Sequence, residues 1–156
     1  DGADLTRSRF QGSSFKGAAL NKALLEGVDG RECSFVSATL AGSNAEGASF
    51  EGADFSSADL RGARFTAAKL RDAKLSGATA QKLLAPRADF RRVDATGASL
   101  RFGKLAGSNF AGASLVDCDM RDADLEGCDL SDTDRTKARL AGANLKGATG
   151  VLPDAK

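Results

Sequence analysis

The sequence predicts a solenoid of square coils with about 20 residues in each, and three observations predict it. First, the 31 positions numbered in multiples of five hold 14 Leu, 8 Phe and one Met, so eight of the nine Phe fall in one class. Second, at the positions two places earlier, 27 of 31 residues are Ala, Ser, Cys, Gly or Thr. Third, 15 of the 18 Gly sit at numbers ending in 2 or 7, and the frame runs from Asp1 to Lys156 without an insertion.

Each position of the five-residue block has a physical role. On an α-helix a step of five advances about 500°, which spreads the large residues round the whole circumference. On a flat strand an odd step sends them to alternate faces. A chain that turns through a right angle at every block avoids both outcomes, because four blocks close a coil and every large residue points to one axis. The small residue two places earlier also faces inward, so the two volumes should compensate. Val28 with Gly30, Leu83 with Ala85 and Val93 with Ala95 invert the usual order at similar total volume. Ser43 with Ala45 and Ala78 with Ala80 do not compensate, and looser packing is expected there. Between the inward pair stands Asp or Asn in 14 blocks, suited to hydrogen-bonding the turn backbone, while Gly at the end of the block supplies corner dihedrals. The predicted core is therefore Phe10, Phe15, Phe35, Phe50, Phe55, Phe65, Phe90 and Phe110, with Leu20, Leu40, Leu60, Leu100, Leu125 and their in-phase neighbours.

Composition narrows the function. His, Trp and Tyr are absent, which removes the commonest general base and the commonest metal ligand together. With 42% apolar and 28% charged residues the chain is too hydrophobic to be disordered by composition, yet no apolar run approaches the roughly 18 residues of a membrane span. The Gly are spaced by five rather than clustered ahead of a helix, so no phosphate loop is predicted. No catalytic, cofactor-binding or metal-ligating residue is expected.

Blocks such as Ala123-Asp124-Leu125-Glu126-Gly127 and Ala143-Asn144-Leu145-Lys146-Gly147 follow an A(D/N)LXX pattern. Over essentially its whole length the chain resembles the pentapeptide-repeat family. The resemblance implies an all-β fold, a right-handed quadrilateral β-helix with four interior ladders. At about 4.8 Å per coil, about 7–8 coils would make a rod roughly 35–40 Å long. Residues 1–150 are assigned to the β-helix and 151–156 to its C-terminal end or a tail, since Gly150, Pro153 and Ala155 fade from the pattern. Some family members are acidic rods that look like B-form DNA, occupy the DNA site of gyrase and other type II topoisomerases, and confer quinolone resistance. Others are appended domains, secreted bacterial effectors or proteins of the photosynthetic lumen. DNA mimicry needs an acidic face, whereas this chain has a net charge of +1 and no continuously acidic wall. The favoured expectation is a non-enzymatic scaffold that binds another protein, as an independent rod or as a module of a larger one.

Several residues invite sharper readings. Cys33, Cys118 and Cys128 all occupy the small inward class, read as buried free thiols suited to a reducing, cytoplasmic setting. The carboxylate pairs Asp122 with Asp124 and Asp132 with Asp134 follow from the use of Asp in each turn, and a smooth rod offers no cleft to tune them. Arg135 stands where Leu or Phe is expected; either the local turn bulges and expels it, or it pairs with Asp134 or Asp117.

Charge is banded. Residues 61–104 hold eleven bases and three acids, whereas 117–134 hold eight acids and Arg121 alone among bases. One wall, through Leu20 and Leu40, carries six bases against three acids: Lys22, Arg61, Lys82, Arg101, Arg121 and Arg139. Such bands are either a solvated surface or a contact for a partner that matches them. The candidate partner-binding residues are Arg61, Lys82, Arg91, Arg92, Arg101, Asp119, Asp122, Asp124 and Arg135, with Phe102, the Phe outside the interior class, as apolar anchor. Nucleic acid is a disfavoured partner, since Phe102 is the sole candidate stacking aromatic and the acidic band lies within one coil. The first coil starts in phase and uncapped, which suggests a fragment, a processed form or a unit that stacks end to end on another copy.

Overall fold

The computed structural model describes residues 1–151. Every block makes one short extended segment and one turn, and the extended residues pair in parallel with those 20 positions later, from Asp4 with Leu24 to Asp129 with Thr149. Four turns therefore close each coil, and the coils stack into a four-sided rod. The first face carries the blocks centred on Leu5, Leu25 and every twentieth residue after them. The second carries Phe10, Gly30 and Phe50; the third Phe15, Phe35 and Phe55; the fourth Leu20, Leu40 and Leu60.

The repeat follows from backbone hydrogen-bond accounting. In the block around Leu25, the Leu25 and Gly27 N–H groups donate to Asn44 and Glu46 in the next coil, Leu24 N–H donates to Ala3 in the previous one, and Val28 N–H closes the turn on the Leu25 carbonyl. One N–H per block, that of the residue after the large one, has no backbone acceptor. The Asp or Asn two places before it supplies one: Thr6 donates to Asp4, Arg61 to Asp59, Ala111 to Asn109 and Lys146 to Asn144, at 2.8–3.2 Å. This is why Asp and Asn are preferred there.

The corner residue takes a positive φ at every block from Gly2 to Gly147, which fits a type II turn. Half of these corners lack glycine, and Arg7, Asp72, Arg92 and Phe102 are among the side chains held at φ between 53° and 59°. Such a residue costs about 1–2 kcal/mol relative to Gly in that conformation, which the surrounding ladders offset.

From Leu20 to Leu130 every inward side chain is buried. The expected core residues are all inward, but Phe10 and Phe15 are half-buried because the first coil is covered on one side only. Phe15, Phe35 and Phe55 stack at 5.1 and 4.8 Å between ring centroids, and Phe90 stacks on Phe110 at 4.7 Å. Size compensation is visible at Gly30, where a Cβ would meet the Phe50 ring at 2.7 Å while Val28 fills the neighbouring volume. Three inward polar groups use a repeated acceptor: Cys33, Ser108 and Cys128 donate to the carbonyls of Phe10, Ala85 and Leu105 at 2.9, 2.6 and 3.1 Å, whereas the buried Ser43 hydroxyl has no partner among the described residues. The expectation of a C-terminal end or tail over 151–156 lies, beyond Val151, outside the described residues.

Candidate functional site

Nine bases form ion pairs among the described residues. At Asp29, Asp59, Asp89 and Asp119, the Arg two residues on folds back over the inward side chain and grips the carboxylate with Nε and one terminal nitrogen, at 2.5–2.9 Å. Both side chains point outward because the residue between them points inward. Arg92 forms the same fork with Asp72 of the coil below, at 2.7 and 2.6 Å. The Arg121 fork brings Asp119 down to about 2, and the Arg31, Arg61 and Arg91 forks likewise lower Asp29, Asp59 and Asp89. Sequence reasoning passed over these forks, although their signal, Asp-X-Arg across an inward position, is present four times.

This pairing divides the candidate residues. Arg61, Lys82, Arg101, Phe102, Asp119 and Asp122 share the fourth face, and Asp124 lies on the adjoining first face. Arg91 and Arg92 are half a coil away on the second face, opposite Phe102, so they are not brought together with it. Arg61, Arg91 and Asp119 are held in forks, and Asp124 accepts the Glu126 N–H and the Asn144 amide. Arg101 reaches Asp122 at 3.5 Å across the border of the two charge bands.

Arg135 takes neither of its expected arrangements. The turn is intact, with Ala138 N–H on the Arg135 carbonyl at 2.9 Å, and the guanidinium donates to the Gly150 carbonyl at 2.8 Å rather than pairing with Asp134 or Asp117. Near the last coil the inward position is only half covered, so a long side chain can reach over the end and keep its charge in water.

The bases left without an ion pair among the described residues include Lys82, Arg87 and Lys104. Lys82 lies one coil below Phe102 at the corner where the fourth face meets the first, Lys104 stands on the first face beside it, and Arg87 lies at the far edge of the first face, where it meets the second. Phe102 projects at the corner of the fourth and first faces with 43% of its surface exposed, at φ 58°, with the Arg101 guanidinium 4.7 Å from its ring centre. Leu84 stands on the bridge ladder between Arg64 and Lys104.

Burial pushes the Cys118 and Cys128 thiols up to about 12 and about 11 and raises Cys33 too, so none supplies a thiolate. No cluster of three or more His, Cys, Asp or Glu suited to a metal occurs among the described residues, and no helix there is long and apolar enough to cross a membrane.

The family model for pentapeptide repeats matches eight copies, at residues 1–29, 33–72, 73–110, 96–132 and 108–147. The chain belongs to the pentapeptide-repeat family. Its fold is the right-handed quadrilateral β-helix of that family. Full-length QnrB1, a plasmid-mediated fluoroquinolone resistance protein, is similar in fold, with a TM-score of 0.69 at 23% identity over 96% of this chain and 78% of that one. A trypsin-treated QnrB1 gives 0.68 at 22% identity over 92% and 77%. A pentapeptide repeat protein from the Arabidopsis thaliana thylakoid lumen is 30% identical over 78% of this chain and 71% of its own, with a TM-score of 0.43. No curated protein sequence matches this pentapeptide-repeat chain.

Proposed function

We propose that this pentapeptide-repeat rod is a non-enzymatic scaffold that binds another protein through the corner around Phe102. The exposed Phe102 carries the reading. A bulky apolar side chain sits at a corner where Gly would be unstrained, and it is partly exposed to water. A crosslinking amino acid at position 102 should capture a discrete protein partner in cells, whereas the same group at Val36 on the third face should not. Equal capture from both positions would defeat the proposal.

DNA mimicry is the less favoured reading. A face that imitates DNA must present carboxylates to the partner, but Asp29, Asp59, Asp89 and Asp119 are occupied by their own Arg. A gyrase supercoiling assay with excess DNA is expected to show no inhibition at micromolar rod. Inhibition would reverse the ranking.

A further inference from the structure

We infer that the Phe102 corner takes a short acidic protein segment carrying an aromatic or aliphatic anchor. The inference rests on the protein-binding reading above and adds the chemistry of the partner.

Three observations converge. Lys82, Arg87 and Lys104 have no carboxylate partner among the described residues and follow one another on and beside one face, whereas Arg61, Arg91, Arg92 and Arg121 are neutralised by their own forks. The first face holds no Asp or Glu between Arg64 and Gly107. Cations left open in this way repel one another and attract a matching anion, which sets register as well as affinity. Beside them stand Phe102 and Leu84, Leu84 on the ladder between Arg64 and Lys104, so that an apolar contact and charged contacts fall within reach of one ligand. The Arg101 guanidinium lies over the Phe102 ring and reaches Asp122 at 3.5 Å, which holds that edge of the patch in place.

The borders set the length of the ligand. On the first face Glu26 and Glu46 lie below the patch, and Asp124 and Glu126 above it. At about 4.8 Å per coil the cationic stretch spans about 10 Å along the axis, which is about three extended residues. A nucleic-acid strand tracking the rod would pass from the cations onto Asp122, Asp124 and Glu126 within one coil. A short acidic segment with an apolar residue avoids that repulsion and uses Phe102 and Leu84, which a phosphate chain does not.

The test is fluorescence anisotropy with a fluorescein-labelled octapeptide of two central Phe flanked by three Glu on either side. Micromolar binding is expected, weakening with added salt. Lys82→Glu combined with Lys104→Glu should weaken it at least tenfold, and Phe102→Ser about tenfold. Arg91→Glu on the second face should change it less than twofold, with the circular dichroism of all variants unchanged. Absence of binding at millimolar peptide, equal loss in Arg91→Glu, or tighter binding of a thymidine octanucleotide than of the peptide would each overturn the inference. Specific crosslinking from position 102 alongside failure of the peptide would remove the acidic partner and leave the scaffold reading standing; failure of both would remove that reading as well.

Discussion

The second face and the Phe102 corner are both rich in bases, yet they present different chemistry to a partner. On the second face Arg9 and Lys69 have no ion pair among the described residues, but Arg31 and Arg91 are clamped to Asp29 and Asp89 and Arg92 to Asp72, so there most guanidinium and carboxylate groups are spent on each other. At the corner and across the adjoining first face Lys82, Lys104 and Arg87 have no such partner, and the aromatic at that corner is exposed. Local charge density therefore does not measure availability. A charge tied to its neighbour contributes modestly to stability and little to recognition, while an open one does the reverse.

Four measurements can break or sharpen this contrast. The largest effect tests whether both surfaces stand on one core. Phe110→Ala removes a fully buried ring stacked on Phe90 and is expected to cost about 3–5 kcal/mol in equilibrium urea unfolding, in a single transition. Separate transitions for the two surfaces would contradict a shared core. Next, Asp89→Ala breaks a fork and removes the acceptor of the Arg91 N–H. The pair is partly exposed, so the expected loss is about 1 kcal/mol. Lys104→Ala, with no ion pair to lose, should be neutral by the same melt, and equal losses would erase the contrast.

Phe102→Gly should have the opposite sign. Release from the left-handed corner outweighs loss of the Arg101 contact, and a gain of about 0.5–1 kcal/mol is expected in thermal melts. A loss would mean that Phe102 supports the fold rather than a partner. The smallest effect lies in pH. Asp119 is depressed from 3.8 to about 2 by its Arg121 fork, so its stabilisation is complete above the ordinary carboxylate value and is lost as pH falls from about 4 through about 2. Asp119→Asn should flatten the melting temperature in that window and leave its slope above pH 5 unchanged.

Much of this was legible in the residues because inward and outward are one-body properties of a five-residue block. Phe50 is large and in phase, so it must face the axis; Val28 before Gly30 betrays the volume that the two share. Asp4, Asp59 and Asn144 announce the turn by chemistry that acts two residues away. The Asp-X-Arg forks were also within reach of sequence, since both ends lie outward on one face, but their meaning depends on the inward direction of Gly30, Leu60, Phe90 and Met120 between them. Arg135 was misjudged because its partner, the Gly150 carbonyl, is 15 residues away and becomes reachable only where the core is half covered.

The sequence alone determined the period, the coil, the identity of the core and the positions of the corners, because a strict repeat leaves side-chain size and turn chemistry a single consistent arrangement. The tertiary structure alone decided which charges cancel and which stay open. Pairs such as Arg92 with Asp72 and Arg101 with Asp122 join residues about one coil apart. Whether two long side chains meet there depends on coil stacking and rotamers, and the separation of a few ångströms that makes or breaks an ion pair is not written in composition or spacing.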